Sequence, residues 1–466
     1  MGELREEALP HRRLTGRRVW LLAGVVALTA VVILAALLIP DADPVAGGTV
    51  GGPVRDGRPQ PGGAVTTPGP AVLELPRVPW EGGPAYYSRF PAAAKAGWTD
   101  PRFFPVGVWF EAVVTQDDVD LDRAAGLNTY FELTESTDMS LVRANGMFAF
   151  ISKPLAGYGK ETVGWLLSDE VDMWARGGDA PWTGNQPGEG EICEPPDAGC
   201  GYTVLRALTD RLPHGDGRMR YTNFGKGVMM WLPDGDAAHL VNDYTDLVST
   251  DIYWYTDGNI CQEAQNFLAL PAERCRLAAS YGSTVDRTRQ SDAEDGRRQP
   301  VLAFVQTGWP AEGDHRAIEP DQLTGAVMNS LIHEARGIIY FNHNFGGPCI
   351  TQHVLRDQCG AAVRPAVTEV NRRIAELAPV LNTQSYEYTF NPVLDTMLKE
   401  YNGSFYVFAM LSRGAALGGH VFTLPEGLRG AKAEVLYENR SIDIFGGRFA
   451  DSFNTEHAYH IYKITP

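Results

Sequence analysis

Between Phe104 and His343 the chain repeats one pattern eight times: a short, nearly unbroken apolar run, then a longer polar-faced segment. The runs are FPVGVWF (104–110), NTYFEL (128–133), MFAFIS (147–152), VGWLLS (163–168), RYTNF (220–224), LVSTDIYWY (247–255), VLAFVQT (301–307) and GIIYFNH (337–343). Strands without polar alternation belong to a parallel sheet covered on both faces. Amphipathic segments such as TQDDVDLDRAAG and EPDQLTGAVMNSLIHEA lie between them. Eight strand–helix units over roughly 300 residues predict an α/β fold, a (β/α)8 TIM barrel. A doubly wound open sheet is the competing arrangement, but no glycine-rich phosphate loop follows the first run.

After VNRRIAELAPVLN the period changes. SYEYTFN, TMLKEYNGSFYVFAML, HVFTLP, AEVLYENRSIDIF and EHAYHIYKI alternate or carry β-formers, and Asn402-Gly403 between two of them signals a hairpin. A small antiparallel, sandwich-like β-domain over 384–466 is expected. At the other end, VWLLAGVVALTAVVILAALLI (19–39) has no charge over 21 positions, long enough to cross a hydrocarbon core of roughly 30 Å. Arginines precede it and aspartates follow, so the N-terminus is expected inside and the bulk outside. A cleaved signal peptide is the rival reading; the apolar run is long for one. The expected organisation is a basic cytoplasmic segment (1–18), a membrane anchor (19–39), a Gly/Pro-rich linker (40–77) too poor in apolar residues to fold, a barrel (78–383) and the β-domain.

Net charge is −17, and the first twenty residues contribute +2, so the body is acidic at −19. That argues against nucleic acid as a partner, because phosphates are repelled. The six cysteines, Cys193, Cys200, Cys261, Cys275, Cys349 and Cys359, all follow the apolar segment. Of 15 possible pairings, sequence proximity favours 193–200, 261–275 and 349–359. No CxxC and no histidine at ligand spacing accompanies them, so neither a metal nor another cofactor is expected.

A barrel of this kind builds its site at the C-terminal ends of its strands. The polar residues there are Glu111 and Glu132 on strands one and two, Asp169 and Glu170 on strand four, and Asn223 on strand five. Asp251, Tyr253 and Tyr255 follow on strand six, Gln306 on seven, and Asn342 and His343 on eight, with Trp109 and Trp309 close by. Carboxylates, amides and aromatic faces suit a carbohydrate. Glycoside cleavage needs a proton donor and a facing carboxylate; Glu170, beside Trp165 and Trp174, suits the first role, and Asp251 is the candidate for the second.

GWLLSDEVD resembles the strand-four signature GW-x-x-x-DE-P of the large clan of barrel glycoside hydrolases whose acid/base Glu ends strand four, and EARGIIYFNHNF is similar to their strand-eight segment GARGI-x-YF. The resemblance spans roughly residues 100–465. It implies that Glu170 is the acid/base and that Asp169 stands where an Asn usually precedes it. It also implies a departure: the clan's strand-seven nucleophile is a Glu, and this chain has Gln306 there.

Three routes around that departure stay open. Asp251, Glu111 or Glu132 substitutes; one of them activates water in an inverting scheme; or the site binds glycan without cutting it. The expected function is thus an extracytoplasmic hydrolase of envelope or extracellular polysaccharide, with an inactive glycan-binding or scaffold protein as the alternative. A metal-dependent hydrolase ranks third, for want of paired strand-end histidines. Against all of these stands a plain structural reading: Ser168 and Asp169 are good N-caps, and acids favour a first helical turn.

Overall fold

The computed structural model describes residues 73–311 and 316–466. The segments read as cytoplasmic and membrane-spanning, and the linker up to residue 72, lie outside them. Among the described residues no helix is long and apolar enough to cross a membrane.

Eight parallel strands close into a barrel in chain order: β1 (Val106–Glu111), β2 (Thr129–Leu133), β3 (Phe148–Ile151), β4 (Thr162–Asp169), β5 (Met219–Phe224), β6 (Leu247–Thr250), β7 (Val301–Gln306) and β8 (Ile338–Phe341). β8 closes onto β1 from Val106↔Ile338 to Trp109↔Phe341. The helices used below are α1 (Val171–Trp174), α2 (Ala278–Asp292), α3 (Pro320–Ile332) and α4 (Arg364–Leu381). Two expectations are corrected. No helix joins β3 to β4, because residues 152–161 are too few for a crossover helix and carry Pro154, Gly157 and Gly159. The sixth strand stops at Thr250 rather than running to Tyr255; Trp254 turns outward, is fully buried, and donates Nε1–H to Thr284 on α2 at 2.9 Å.

Alternate strand residues fill the interior, including Phe131, Phe150, Tyr221, Leu302, Phe304 and Ile339. Phe131 and Phe150 stack with centroids 5.0 Å apart and planes at 7°. Glycines make the room: a Cβ on Gly164 would lie 2.0 Å from Phe150, and one on Gly107 2.5 Å from Phe131. Trp98, fully buried, meets Phe148 and Phe150 edge-on at 5.9 Å and, with Tyr86 and Tyr87, stoppers the N-terminal end. The accessible end is therefore the C-terminal one.

The C-terminal strands are β9 (Ser385–Tyr386), β10 (Leu394–Tyr401), β11 (Ser404–Leu411), β12 (Gly418–Thr423), β13 (Lys432–Val435), β14 (Arg440–Asp443), β15 (Arg448–Phe453) and β16 (Tyr459–Ile464). They form an antiparallel sheet ordered β14-β13-β16-β11-β10-β9 and a β12-β15 pair. Phe390, Phe405, Phe422, Phe449 and Tyr462 form the core around them. The β10–β11 hairpin turns at Asn402 (φ 51°) and Gly403 (φ 73°), the left-handed pair that a two-residue turn requires. Glu456 ties this region to the barrel, accepting from the Tyr255 hydroxyl (2.7 Å) and the Ala278 amide (2.8 Å) at the start of α2. Residues 73–77, read from composition as the end of the linker, are ordered: Leu73 is buried in the β core, and the Pro76 carbonyl accepts from the Glu387 amide at 2.8 Å. All three disulfides, 193–200, 261–275 and 349–359, are present.

Candidate active site

The three acids after β4 have three different fates. Asp172 is buried, and its carboxylate accepts from the amides of Gly225 (3.0 Å) and Val228 (2.7 Å), fastening the β4 loop to the β5 loop. Asp169 keeps an exposed surface and accepts from Asn223 Nδ2 at 2.9 Å. Asn223 Oδ1 in turn accepts from Ser249 (2.6 Å), whose oxygen is 2.6 Å from the Tyr221 hydroxyl. Strand register builds this relay, since Asp169 pairs with Asn223 and Asn223 with Ser249. Glu170 sits between them in left-handed backbone (φ 49°, ψ 34°) at the mouth of α1 and makes no side-chain cap hydrogen bond. No side chain of this trio caps the four-residue α1; Asp172 lies in its first turn, as the helix-start reading expects, but that reading accounts for neither Asp169 nor Glu170. A non-glycine residue held in that conformation costs of order 1–3 kcal/mol and is typical of functional sites. Phe110 (φ 52°) and Glu132 (φ 69°) do the same at the ends of β1 and β2.

The Glu170 and Asp251 carboxyls are in hydrogen-bond contact. Asp251 is 8% exposed; its Oδ2 accepts from the Tyr253 hydroxyl at 3.0 Å, and its Oδ1, closed off from solvent, takes no hydrogen bond from an amide, hydroxyl or amine. Loss of solvent around Glu170, with the negative fields of Asp169 and Asp172, raises its carboxyl to about 8, against the opposing Lys226 ammonium and the Asp251 contact. Burial and the charge of Glu170 push Asp251 up as well. Two touching carboxyls cannot both ionise cheaply, so the pair shares a proton. Desolvation also raises Asp169 and Asp172, each to about 6. Asp169 is solvent-accessible yet ringed by protein, which describes the floor of a cleft. Lys226, held by Asp257 (2.8 Å) and Glu263 (2.9 Å), supplies the nearby positive charge.

An aromatic wall faces the strand ends. Tyr253 lies 5.2 Å from Phe341, Phe341 is 5.1 Å from His343 and 6.1 Å from Phe345, and His343 is 6.0 Å from Phe110. Tyr253, Phe341, Phe345 and Phe110 are half-buried, as are Trp309 and Trp174. Among the described residues no group of three or more His, Cys, Asp or Glu is arranged to hold a metal ion.

Several expected ligand contacts are corrected. Trp109 is barrel filling, 7% exposed with its ring 5.5 Å from Phe304. Tyr255 is buried and spends its hydroxyl on Glu456. Glu111 is fully buried, bound by Asn342, His353 (2.7 Å) and Arg356 (3.1 Å). Asn342, equally buried, also accepts from the Leu355 amide at 2.7 Å, so both serve the β8 loop. Gln306 is fully buried, accepting from the Tyr281 hydroxyl (2.9 Å) and donating to Thr256 (3.2 Å). Glu132 accepts from the Ser152 (2.8 Å) and Leu133 (3.2 Å) amides; burial raises it to about 7. His343 is 3% exposed and held neutral by burial, at about 4, with Nε2 donating to the Phe110 carbonyl at 3.0 Å. It supports the strained Phe110 rather than a ligand. Ser249, Tyr221, Lys226, Phe110, Phe341 and Phe345 were not singled out from the sequence; register arithmetic on β4–β6 was the signal available for Ser249.

No family model matches the chain, and no curated protein matches it. Among solved structures it is similar to an α-amylase from Anoxybacillus (TM-score 0.39, 11% identity, covering 77% of this chain and 98% of that one). It is also similar to a GH30 endoxylanase from Clostridium papyrosolvens C71 (0.38, 9%, 78% and 97%) and to AbfB, a family 51 α-L-arabinofuranosidase from Bifidobacterium longum (0.44, 12%, 78% and 96%). All three are glycoside hydrolases. At these scores the likeness carries no argument about chemistry, which rests on the side chains above.

Proposed function

We propose that the chain is an extracytoplasmic glycoside hydrolase acting on a cell-envelope or extracellular polysaccharide, with Glu170 as its general acid/base. One observation carries the reading: Glu170, in strained backbone at the end of β4, keeps its proton at neutral pH, with a carboxyl raised to about 8. A leaving-group donor needs that property. The half-buried aromatic wall supports a ligand with apolar C–H faces. Three disulfides support an oxidising compartment, and the apolar 19–39 segment supports tethering to a membrane. The test is a panel of envelope glycans and aryl glycosides assayed with wild type and Glu170→Gln. Loss of about 10²–10⁴-fold is expected in the variant; equal rates on every cleaved substrate would refute the assignment.

A second reading, a glycan-binding protein without turnover, is favoured by Gln306, an amide in the strand-seven position with both ends engaged. It predicts affinity without new reducing ends in the same panel.

A further inference from the structure

The loops after β5 and β6 meet in a seam that leads outward from Glu170. A Cβ on Gly225, the residue after β5, would lie 3.1 Å from Glu170 Oε1, so the carboxyl rests against this loop. Lys226 follows, its ammonium held on Asp257 (2.8 Å) and Glu263 (2.9 Å) of the β6 loop. A single π turn, Gly227–Trp231, comes next; such turns concentrate at functional sites. Opposite it stands the helix Ile260–Leu268. Phe267 lies four residues past Glu263, on the same helix face and about 6 Å further along the axis. Its ring meets that of Trp231 at 6.5 Å and 53°. The two rings therefore straddle the seam at the strand-end face of the barrel, where Glu170 also lies.

Phe267 is 52% exposed, yet its helix is firmly seated: Ile260 and Ala264 are fully buried, and the Cys261–Cys275 disulfide closes the loop around it. A ring fixed in advance loses little freedom on binding. The surroundings indicate what it binds. Residues 264–272, AQNFLALPA, carry no charge in a chain of net charge −17, and the exposed amides of Gln265 and Asn266 precede Phe267. An aromatic face attracts polarised C–H groups, and amides both donate to and accept from hydroxyls. Together they match one face and the rim of a sugar ring. Two rings bury too little for a stable protein interface, which takes roughly 800 Å² per partner.

Charge narrows the sugar. Asp169, Asp172 and Asp251 crowd Glu170, and the Lys226 ammonium is already matched by two acids. A uronate, sulfate or phosphate on the glycan would enter a negative field; an uncharged sugar would not. Resting on the reading above, we propose that Phe267 and Trp231 form a remote sugar subsite, and that the substrate is an uncharged polysaccharide gripped there at a unit outside the linkage that is cut.

The experiment runs the full chain, in mild detergent, through native gels holding soluble starch, arabinoxylan, galactomannan or polygalacturonate. Retardation by at least one of the three neutral polymers is expected, and none by polygalacturonate. Phe267→Ala weakens that affinity about three- to tenfold, and Phe267→Trp restores it. On a glycan that is cleaved, Phe267→Ala lowers kcat/KM for the polymer, relative to that for the aryl glycoside of its single sugar, by the same factor. Unchanged affinity in Phe267→Ala, equal retardation by polygalacturonate, or no retardation by any neutral polymer overturns the subsite and leaves Glu170 as donor intact. An oligomer that dissociates in Phe267→Ala, read by light scattering, overturns it in favour of a second copy of the chain. Retardation that Phe267→Ala abolishes, with no turnover of any glycan, upholds the subsite and overturns the hydrolase.

Discussion

Replacing Glu170 with Gln is expected to make the protein more stable at alkaline pH, and the size of the gain follows from where the carboxyl sits. Its pKa is 4.5 in an ordinary setting and about 8 in the folded chain. Because the folded value is raised, folding holds a proton between those limits that the unfolded chain has released. The contribution of Glu170 to stability is therefore fully present below about pH 4.5 and is lost as pH rises through 8. Each such proton gives a slope of up to about 1.4 kcal/mol per pH unit. Glu170→Gln removes that proton, and it also removes the charge that raises Asp251, so the variant's stability falls less steeply with pH. Urea unfolding at pH 5, 6, 7 and 8 measures both curves. The difference, variant minus wild type, grows with pH and approaches ~1.4 kcal/mol per unit in the middle of that range. Parallel curves would refute the claim that this carboxyl is held protonated by the fold, and the donor argument with it. The same variant loses activity, so the acid would be retained against stability, as functional groups often are.

The pH profile offers a second test: Lys226→Met removes the ammonium that lowers the Glu170 pKa, so the alkaline limb of kcat/KM moves up, by less than about one pH unit given its two acid partners; a downward shift contradicts the assigned field. In the barrel interior, Gly164→Ala drives a Cβ to 2.0 Å from Phe150 and is expected to cost about 1–3 kcal/mol or more, read as a lowered urea midpoint; an unchanged midpoint would show that the Phe131–Phe150 stack moves freely.

The limits of the sequence show best on β4–β6. The runs at 163–168, 220–224 and 247–255 announced strands because burial on both faces favours β-formers without polar–apolar alternation, and the switch to alternation after 384 announced an antiparallel domain with one face solvated. Cysteine pairs closed by loops of seven to fourteen residues were equally legible, since near neighbours meet at small entropic cost. Side-chain fates were not. Glu111, Gln306 and Asn342 stand at strand ends as a site residue would, and each was taken up by partners far along the chain: Glu111 by His353, Gln306 by Tyr281, Asn342 by Leu355.

What the sequence determined by itself was the barrel, the domain beside it and the strand end where chemistry belongs, because hydrophobic period and length act locally and survive without knowledge of partners. Only the tertiary structure decided among Asp169, Glu170 and Asp172. Three acids within four positions are alike in a string of letters. They differ once Asn223 holds the first, the amides of Gly225 and Val228 take the third, and Asp251, brought from the end of β6, leaves the second sharing a proton in a space with little water. Long-range contacts set the local dielectric and the neighbouring charges, and those set which carboxyl keeps its proton.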